Sequence, residues 1–428
     1  MNNNIAEFVK FLDNSPSCYH ATANLELQIK AAGYERLHEH EDWTLVPGGK
    51  YYMVRGGTTL IAFRIPRGEA IGFMMSASHV DRPTFKVKGE ADLKGMYTRL
   101  YTEGYGGMIM STWADRPLSV AGRVMVETET GIQTKLINID RDLLLIPNVA
   151  IHLNRQVNDG QKWNLAVDTL PLIGGKNGTG KFYELLEKEA GGKILGRDLF
   201  LYNRQKASVW GLENEFLSSA ALDDLACAWC CTKGFLNAPE TERTIPMLCA
   251  FDDEEVGSNS PQGAASTLLA DTLNRICNAL EVNPYRMLAQ SFMISADNAH
   301  AVHPNHPEYS DAYNAPVLGG GVVLKFNANQ RYTTDAVSAA VFRKLCIGAN
   351  VPVQEYSNRA DLKGGSTLGH ISLTHVSVPT ADVGLPQLAM HSSYETIASR
   401  DLEYLETAMT AYYGTTLELT GEGACMIR

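Results

Sequence analysis

The densest chemistry in the chain is Asp252-Asp253-Glu254-Glu255, which follows directly on the apolar run Ile245-Pro246-Met247-Leu248-Cys249-Ala250-Phe251. Consecutive carboxylates disfavour one another's ionisation, so gathering four at the end of a buried strand is costly unless a cation neutralises them. Two readings fit. One is a solvated acidic loop. The other divides the labour: one glutamate binds a metal ion, and its neighbour, pointing elsewhere, acts as general base on a metal-bound water.

Other residues of ligand type lie far off in sequence. Ser78-His79-Val80-Asp81 offers an imidazole for a metal, with the Asp81 carboxylate behind it to orient the ring. Asp223-Asp224 opens a helix. There the acids either complement the helix dipole or supply a carboxylate whose two oxygens bridge two cations. In Asp297-Asn298-Ala299-His300-Ala301-Val302-His303-Pro304-Asn305-His306 the spacing invites a metal site, but Pro304 forbids one continuous helix, so i, i+3 geometry does not follow. Asp297 is the expected ligand and His300 a pocket residue, while His303 and His306 are expected to be structural. His391 stands between an apolar segment and a helix start. Imidazole and carboxylate donors without thiolate suit a catalytic zinc site, with cobalt or manganese as alternatives.

The elements that must position these residues read as follows. Two short helices flank Ser15-Pro16, and strands are predicted over 50–54, 58–65 and 70–76, a segment that runs on to His79. From Thr84 to Leu212 short β-like runs (85–87, 108–113, 122–128, 133–137) alternate with Gly- and aromatic-rich turns, which predicts a β-rich insertion. Beyond it helices and strands alternate: helix 220–236, strand 245–251, helix 261–280, strand 292–295, strand 321–326, helix 334–347, strand 375–379 and a terminal helix 394–412. That pattern predicts an α/β mixed sheet with helices on both faces. The expected division is 1–83 and 213–428 for this catalytic domain and 84–212 for the insertion. Ligands of such sheets bind at the carboxyl ends of strands, which is where His79, Glu254, Glu255, Asp297 and His391 fall.

Composition limits the alternatives. The chain has 428 residues, 45% hydrophobic and 20% charged, with a net charge of −11. That balance disfavours nucleic acid and anionic membrane as partners. No window approaches the ~20 apolar residues of a membrane helix. Met1-Asn2-Asn3-Asn4 lacks a signal-like basic and apolar start, so a cytoplasmic location is expected. The eight cysteines sit mostly in apolar runs and are expected to be buried free thiols. Cys227-Ala228-Trp229-Cys230 has no second pair, so neither zinc nor redox use is expected of it.

Taken together, these residues resemble the aspartyl aminopeptidase family of co-catalytic dinuclear zinc peptidases, through nearly the whole chain. The resemblance is carried by Asp253-Glu254-Glu255-Val256-Gly257-Ser258, by Ser295-Ala296-Asp297 through His303-Pro304-Asn305, and by Pro386-Gln387-Leu388-Ala389-Met390-His391-Ser392. Weaker support comes from Ser111-Thr112-Trp113, Ile146-Pro147-Asn148 and Gly364-Gly365-Ser366-Thr367-Leu368-Gly369. It implies two Zn2+ per subunit. His79 and Asp297 would hold one, Glu255 and His391 the other, and Asp223 would bridge them. Glu254 would be the general base, assisted by Asp81. Glu254 and Asp297 would also border the bound substrate. It further implies a substrate pocket with His300 and Lys325, joined by His152 from a neighbouring subunit, and an insertion that dimerises within a tetrahedral dodecamer. The implied reaction removes an N-terminal residue, preferably Asp or Glu, from peptides with a free N-terminus.

The chain departs from the family's usual residues at Val80, Arg82, Asp253 and Tyr394, none of them a ligand position. Two other functions fit a chain of this kind: a two-metal aminopeptidase of neutral preference or related deacylase, and a non-catalytic assembly protein. The second predicts loss of a ligand or of the base, and all six positions are filled.

Overall fold

The computed structural model describes residues 3–428 except 94, 363 and 366. Met1, Asn2 and the Ser366 of the glycine-rich motif therefore lie outside the described residues. Among the described residues, nine strands form the main sheet. Their spatial order is Glu35–Arg36, Lys50–Arg55, Thr59–Arg64, Thr244–Phe251, Gly72–His79, Phe292–Ala296, Thr380–Gly384, Val322–Phe326 and Val353–Ser357. The sheet is mixed, but its centre is parallel. Gly72–His79 runs parallel to Thr244–Phe251 on one side and to Phe292–Ala296 on the other. Registering His79 opposite Phe251 brings three strand ends to one edge.

Side-chain alternation explains why this sheet is covered on both sides. Leu60, Ala62, Met74, Leu248 and Ala250 join one core with the helices Asn3–Asp13, Cys18–Ala31, Leu222–Asn237, Ala336–Gly348 and Ser399–Tyr413. Their neighbours Ile61, Phe63, Phe73, Met75, Met247 and Cys249 face the opposite way, into a second core under the helix Leu268–Ala279. A period of two on a strand buried on both faces gives this near-continuous apolar run. The predicted α/β class is thus observed.

Two further sheets matter for the site. Six strands between Thr84 and Asn203 form an antiparallel sheet around its own core, which includes Phe85, Val120, Val124, Leu186 and Leu199. A five-stranded sheet, ordered Ser208–Trp210, Phe216–Ser219, Glu395–Ala398, Pro386–Leu388 and Ala299–His300, was not foreseen from the sequence. It joins the segments that flank Asp223, Asp297 and His391.

Several predicted elements move. Residues 108–113 are not a strand, because they pair with no sheet. Met110–Trp113 is a single 3-10 turn whose Trp113 packs edge-on to Phe85. The helix expected from 261 starts at Leu268; the preceding residues form turns, with Gly263 so close to the Ser258 carbonyl that a Cβ would lie 2.1 Å from its oxygen. The strand placed at 375–379 lies at Thr380–Gly384 instead. Pro379 has no N–H for the ladder and contributes only its carbonyl, to Met293 N. The terminal helix expected from 394 starts at Ser399, since Glu395–Ala398 is drawn into the small sheet from both sides. All eight cysteines are free, and seven are buried. No helix among the described residues is long and apolar enough to cross a membrane.

Candidate active site

The edge where Gly72–His79, Thr244–Phe251 and Phe292–Ala296 end carries the predicted donors. His79 is the last residue of its strand and fully buried. Its Nδ1 lies 3.2 Å from the Asp81 carbonyl and 3.3 Å from Asp81 Oδ1. These contacts fix the ring so that Nε2 faces Asp223 Oδ1 at 3.4 Å. Asp81 thus lies on the Nδ1 side of the His79 ring, away from Asp223. Asp81 does more: its Oδ1 accepts the Glu254 N–H and its Oδ2 the Glu255 N–H, both at 3.1 Å.

Asp223 sits where the chain enters a helix through non-helical backbone. Its Oδ2 is 3.4 Å from Nε2 of His391, which is also 3.3 Å from Glu255 Oε2. His391 adopts a positive φ of 66°, a conformation that a non-glycine residue holds only where its surroundings impose it. Burial opposes ionisation of Asp223, but the imidazoles of His391 and His79 hold its carboxyl below the usual range. Glu254, half-buried, is pushed up to about 8, first by burial and then by the neighbouring carboxylates. Glu255 is pushed well up for the same reasons.

Among the described residues, three sets of donor atoms lie close enough to share an ion: His79, Asp223 and Asp297; Asp223, Glu255 and His391; and His79, Glu254 and Glu255. The first two share Asp223. Asp223 Oδ1 and Glu255 Oε1 are buried with no hydrogen-bond donor, and a buried carboxylate oxygen in that state is costly without a cation. Two imidazole nitrogens amid four carboxylates, with no thiolate, fit zinc. The residues present therefore fit a metal pair.

The substrate residues expected at the site are less uniform. Lys325 does not reach solvent, being 1% exposed. Its Nζ donates to the Asp297 carbonyl at 2.8 Å, lies 3.8 Å from Asp297 Oδ2 and sits over the Tyr332 ring. His300 is exposed, with its ring 6.0 Å from that of Tyr356. His152 lies on an exposed turn and joins none of the donor sets. His303 and His306 are likewise exposed, their rings forming a tilted pair 5.3 Å apart, outside those sets.

Sequence reading gave no role to Glu395, Asn298 and Tyr105 and treated Asp224 only as one of two acids at a helix start, yet the fold places all four around the donors. Glu395 is buried and accepts the His391 N–H through Oε1 at 2.8 Å and the Asp223 N–H through Oε2 at 3.1 Å. Asp224 accepts the His79 N–H at 3.3 Å. The Asn298 amide donates to Leu222 O and to Gln387 Oε1, tying together the segments of Asp297, Asp223 and His391. Tyr105, from the six-stranded sheet, places its hydroxyl 2.8 Å from Asp81 Oδ2. Asp224, Asn298 and Glu395 stand within four residues of a predicted donor, which was the available signal. Tyr105 had none.

The profile of the aminopeptidase I zinc metalloproteases (M18) matches residues 11–413. A probable M18 family aminopeptidase 2 from Clostridium novyi (strain NT) is 41% identical over 423 residues, covering 95% of this chain and 98% of that one. In structure, the chain resembles one in a cryo-EM structure of the Ape4 and Nbr1 complex, with a TM-score of 0.92 and 35% identity, covering 96% of this chain and 85% of that one. The S. cerevisiae mApe1 dodecamer shares the fold at a TM-score of 0.85 and 24% identity, with 96% of each chain covered. The chain belongs to the M18 family and is a zinc aminopeptidase.

Proposed function

We propose that the chain removes the N-terminal residue, preferably Asp or Glu, from peptides with a free N-terminus at a two-zinc centre. The observation that carries this reading is the position of Asp223, whose two oxygens face the two imidazoles, His79 Nε2 and His391 Nε2, at 3.4 Å each. His79 and Asp297 would hold one zinc, Glu255 and His391 the other, and Asp223 both. When bound, the pair supplies Lewis-acid polarisation of the scissile carbonyl and a water acidic enough to react near neutral pH.

The chain's own residues do the rest. Glu254 takes a proton from the attacking water as the C–O bond forms, and returns it to the peptide nitrogen as the C–N bond breaks. Asp81 anchors the Glu254 backbone and so aims that carboxylate. Glu254 and Asp297 border the bound substrate, and His300 and Lys325 would meet its side chain. His152 would come from a neighbouring subunit. The support for that exchange is the exposed apolar set beside it in the chain, Val149, Ile151 and Leu153, which a partner surface would cover. Residues 84–212 would then act as a dimerisation domain inserted between the two parts of the catalytic domain, 1–83 and 213–428, in a tetrahedral dodecamer of dimers. The dodecamer named for the S. cerevisiae relative supports that oligomer. A cytoplasmic setting belongs to the same proposal and is compatible with eight free thiols.

One observation favours a second reading, a neutral substrate preference. The Lys325 ammonium already has Asp297 as counter-charge, so a substrate carboxylate would compete with an internal partner. Hydrolysis of Asp-, Glu- and Leu-anilides decides between them. Higher kcat/KM for the acidic substrates supports the first reading, and higher kcat/KM for Leu-anilide the second.

A further inference from the structure

One segment of the six-stranded sheet reaches the metal-binding edge at several points. Tyr105, the last residue of the strand Tyr97–Tyr105, lies with its hydroxyl 2.8 Å from both Asp81 Oδ2 and Asp253 Oδ1. A phenol has one proton to give, so it serves one carboxylate or the other. Asp81 is the residue that fixes the His79 ring and both glutamate N–H groups. The next residue, Gly106, has φ +70°, and a Cβ there would stand 3.1 Å from the Glu255 Cβ. Ile109 N donates to the His391 carbonyl at 3.0 Å. Finally, Thr112 receives Ser393 N on its hydroxyl and Ser393 Oγ on its carbonyl.

We propose that residues 105–112 form a positioning strap, through which the six-stranded sheet sets the geometry of the Glu255–His391 half of the metal centre, with Tyr105 as its principal positioning residue. The proposal rests on the metal-centre reading above. Two physical points carry it. Groups behind metal ligands fix ligand orientation, and their loss weakens metal binding even though they touch no metal. Here one stretch of chain backs both Glu255 and His391, and the positive φ and missing Cβ of Gly106 let the backbone come close to Glu255.

The proposal links the sheet to the site in a testable direction. Tyr105→Phe keeps the ring packing on Phe200, whose centroid lies 5.4 Å away, and removes only the hydroxyl. Zinc affinity is measured on the full-length apoprotein by competition with a chromophoric chelator, alongside thermal melting and peptide hydrolysis. We expect Tyr105→Phe to melt as wild type does, while the weaker zinc-binding step loses about 10–100-fold in affinity. The expected kinetic signature is a lower kcat with KM little changed at saturating zinc. Gly106→Ala, which pushes on Glu255 from the same strap, is expected to weaken the same step. Unchanged zinc affinity in a folded Tyr105→Phe protein overturns the strap. Should Tyr105→Phe fail to fold, Gly106→Ala is read by the same titration, and wild-type affinity in that folded protein overturns the strap equally. Wild-type protein that binds two zinc ions yet hydrolyses no peptide N-terminus would sink the substrate assignment alone, since the titration is read independently of turnover.

Discussion

Glu395 holds Asp223 by its backbone: Oε2 of the buried glutamate accepts the Asp223 N–H at 3.1 Å, while Oε1 accepts the N–H of His391 at 2.8 Å. A single carboxylate thus fixes the chain at the bridging residue and at one of the imidazoles it faces. Burial, and then the charge of Asp223, push Glu395 up to about 8, against the opposing pull of its two main-chain hydrogen bonds. Glu395→Gln is expected to keep the fold while placing an amide NH2 against one of those backbone N–H groups. The expected result is a loss of about 10–100-fold in zinc affinity, measured by chelator competition, with activity at sub-saturating zinc falling in step.

Glu254 is expected to be separable from the ligands. Glu254→Gln removes the proton acceptor and keeps the side-chain volume. We expect kcat to fall by about 10²–10⁴-fold, with KM little changed and metal content equal to that of wild type. Turnover near the wild-type rate would remove Glu254 as general base.

Lys325 divides two roles in one experiment. Lys325→Met removes the ammonium that faces Asp297 and would face an acidic substrate side chain. The acidic-preference reading expects kcat/KM for Asp-anilide to fall further than for Leu-anilide, by about 10-fold or more for a lost charge-assisted contact. An equal fall for both substrates would assign Lys325 to Asp297 alone, in keeping with its 2.8 Å bond to the Asp297 carbonyl.

Stability should carry an acid-side slope of its own, away from the site. Burial lowers the pKa of His20, on the second helix, to about 4. Below the unfolded value of about 6.5 the unfolded chain binds the proton that the folded chain refuses. Stability is therefore full above pH 6.5 and falls as pH drops from there towards 4, by at most about 3 kcal/mol. His20→Gln should flatten that slope in denaturant titrations between pH 7 and 5, and an unchanged slope would contradict the assignment.

The sequence made some parts of this molecule legible and hid others, for physical reasons. His79, Glu254, Glu255 and Asp297 were readable because each follows an apolar strand, and strand ends of an α/β sheet converge on one edge. The strand Thr380–Gly384 was not, since Thr-Ala-Asp-Val-Gly lacks the apolar run of a central strand. It is tolerated at the centre because the Asp382 carboxylate is satisfied by the Thr333 N–H and by the hydroxyls of Thr333 and Thr367. The apolar alternation of Val376 and Val378 drew the strand prediction instead, yet both side chains bury in the second core without strand pairing. Tyr105 was invisible for another reason: its contact with Asp81 spans 24 residues of chain, and no local pattern encodes it. Glu395 stood four residues from His391, but its tie to Asp223 spans 172 residues and left no local trace.

The central claim is that Asp223 joins two metal sites. Its most direct test is a crystal structure of the zinc-loaded enzyme with anomalous diffraction collected at the zinc edge. The account predicts two anomalous peaks about 3.5–4 Å apart, one beside His79 and Asp297, the other beside Glu255 and His391, with the Asp223 carboxylate between them. A single peak, or a second peak held away from Asp223, would contradict it.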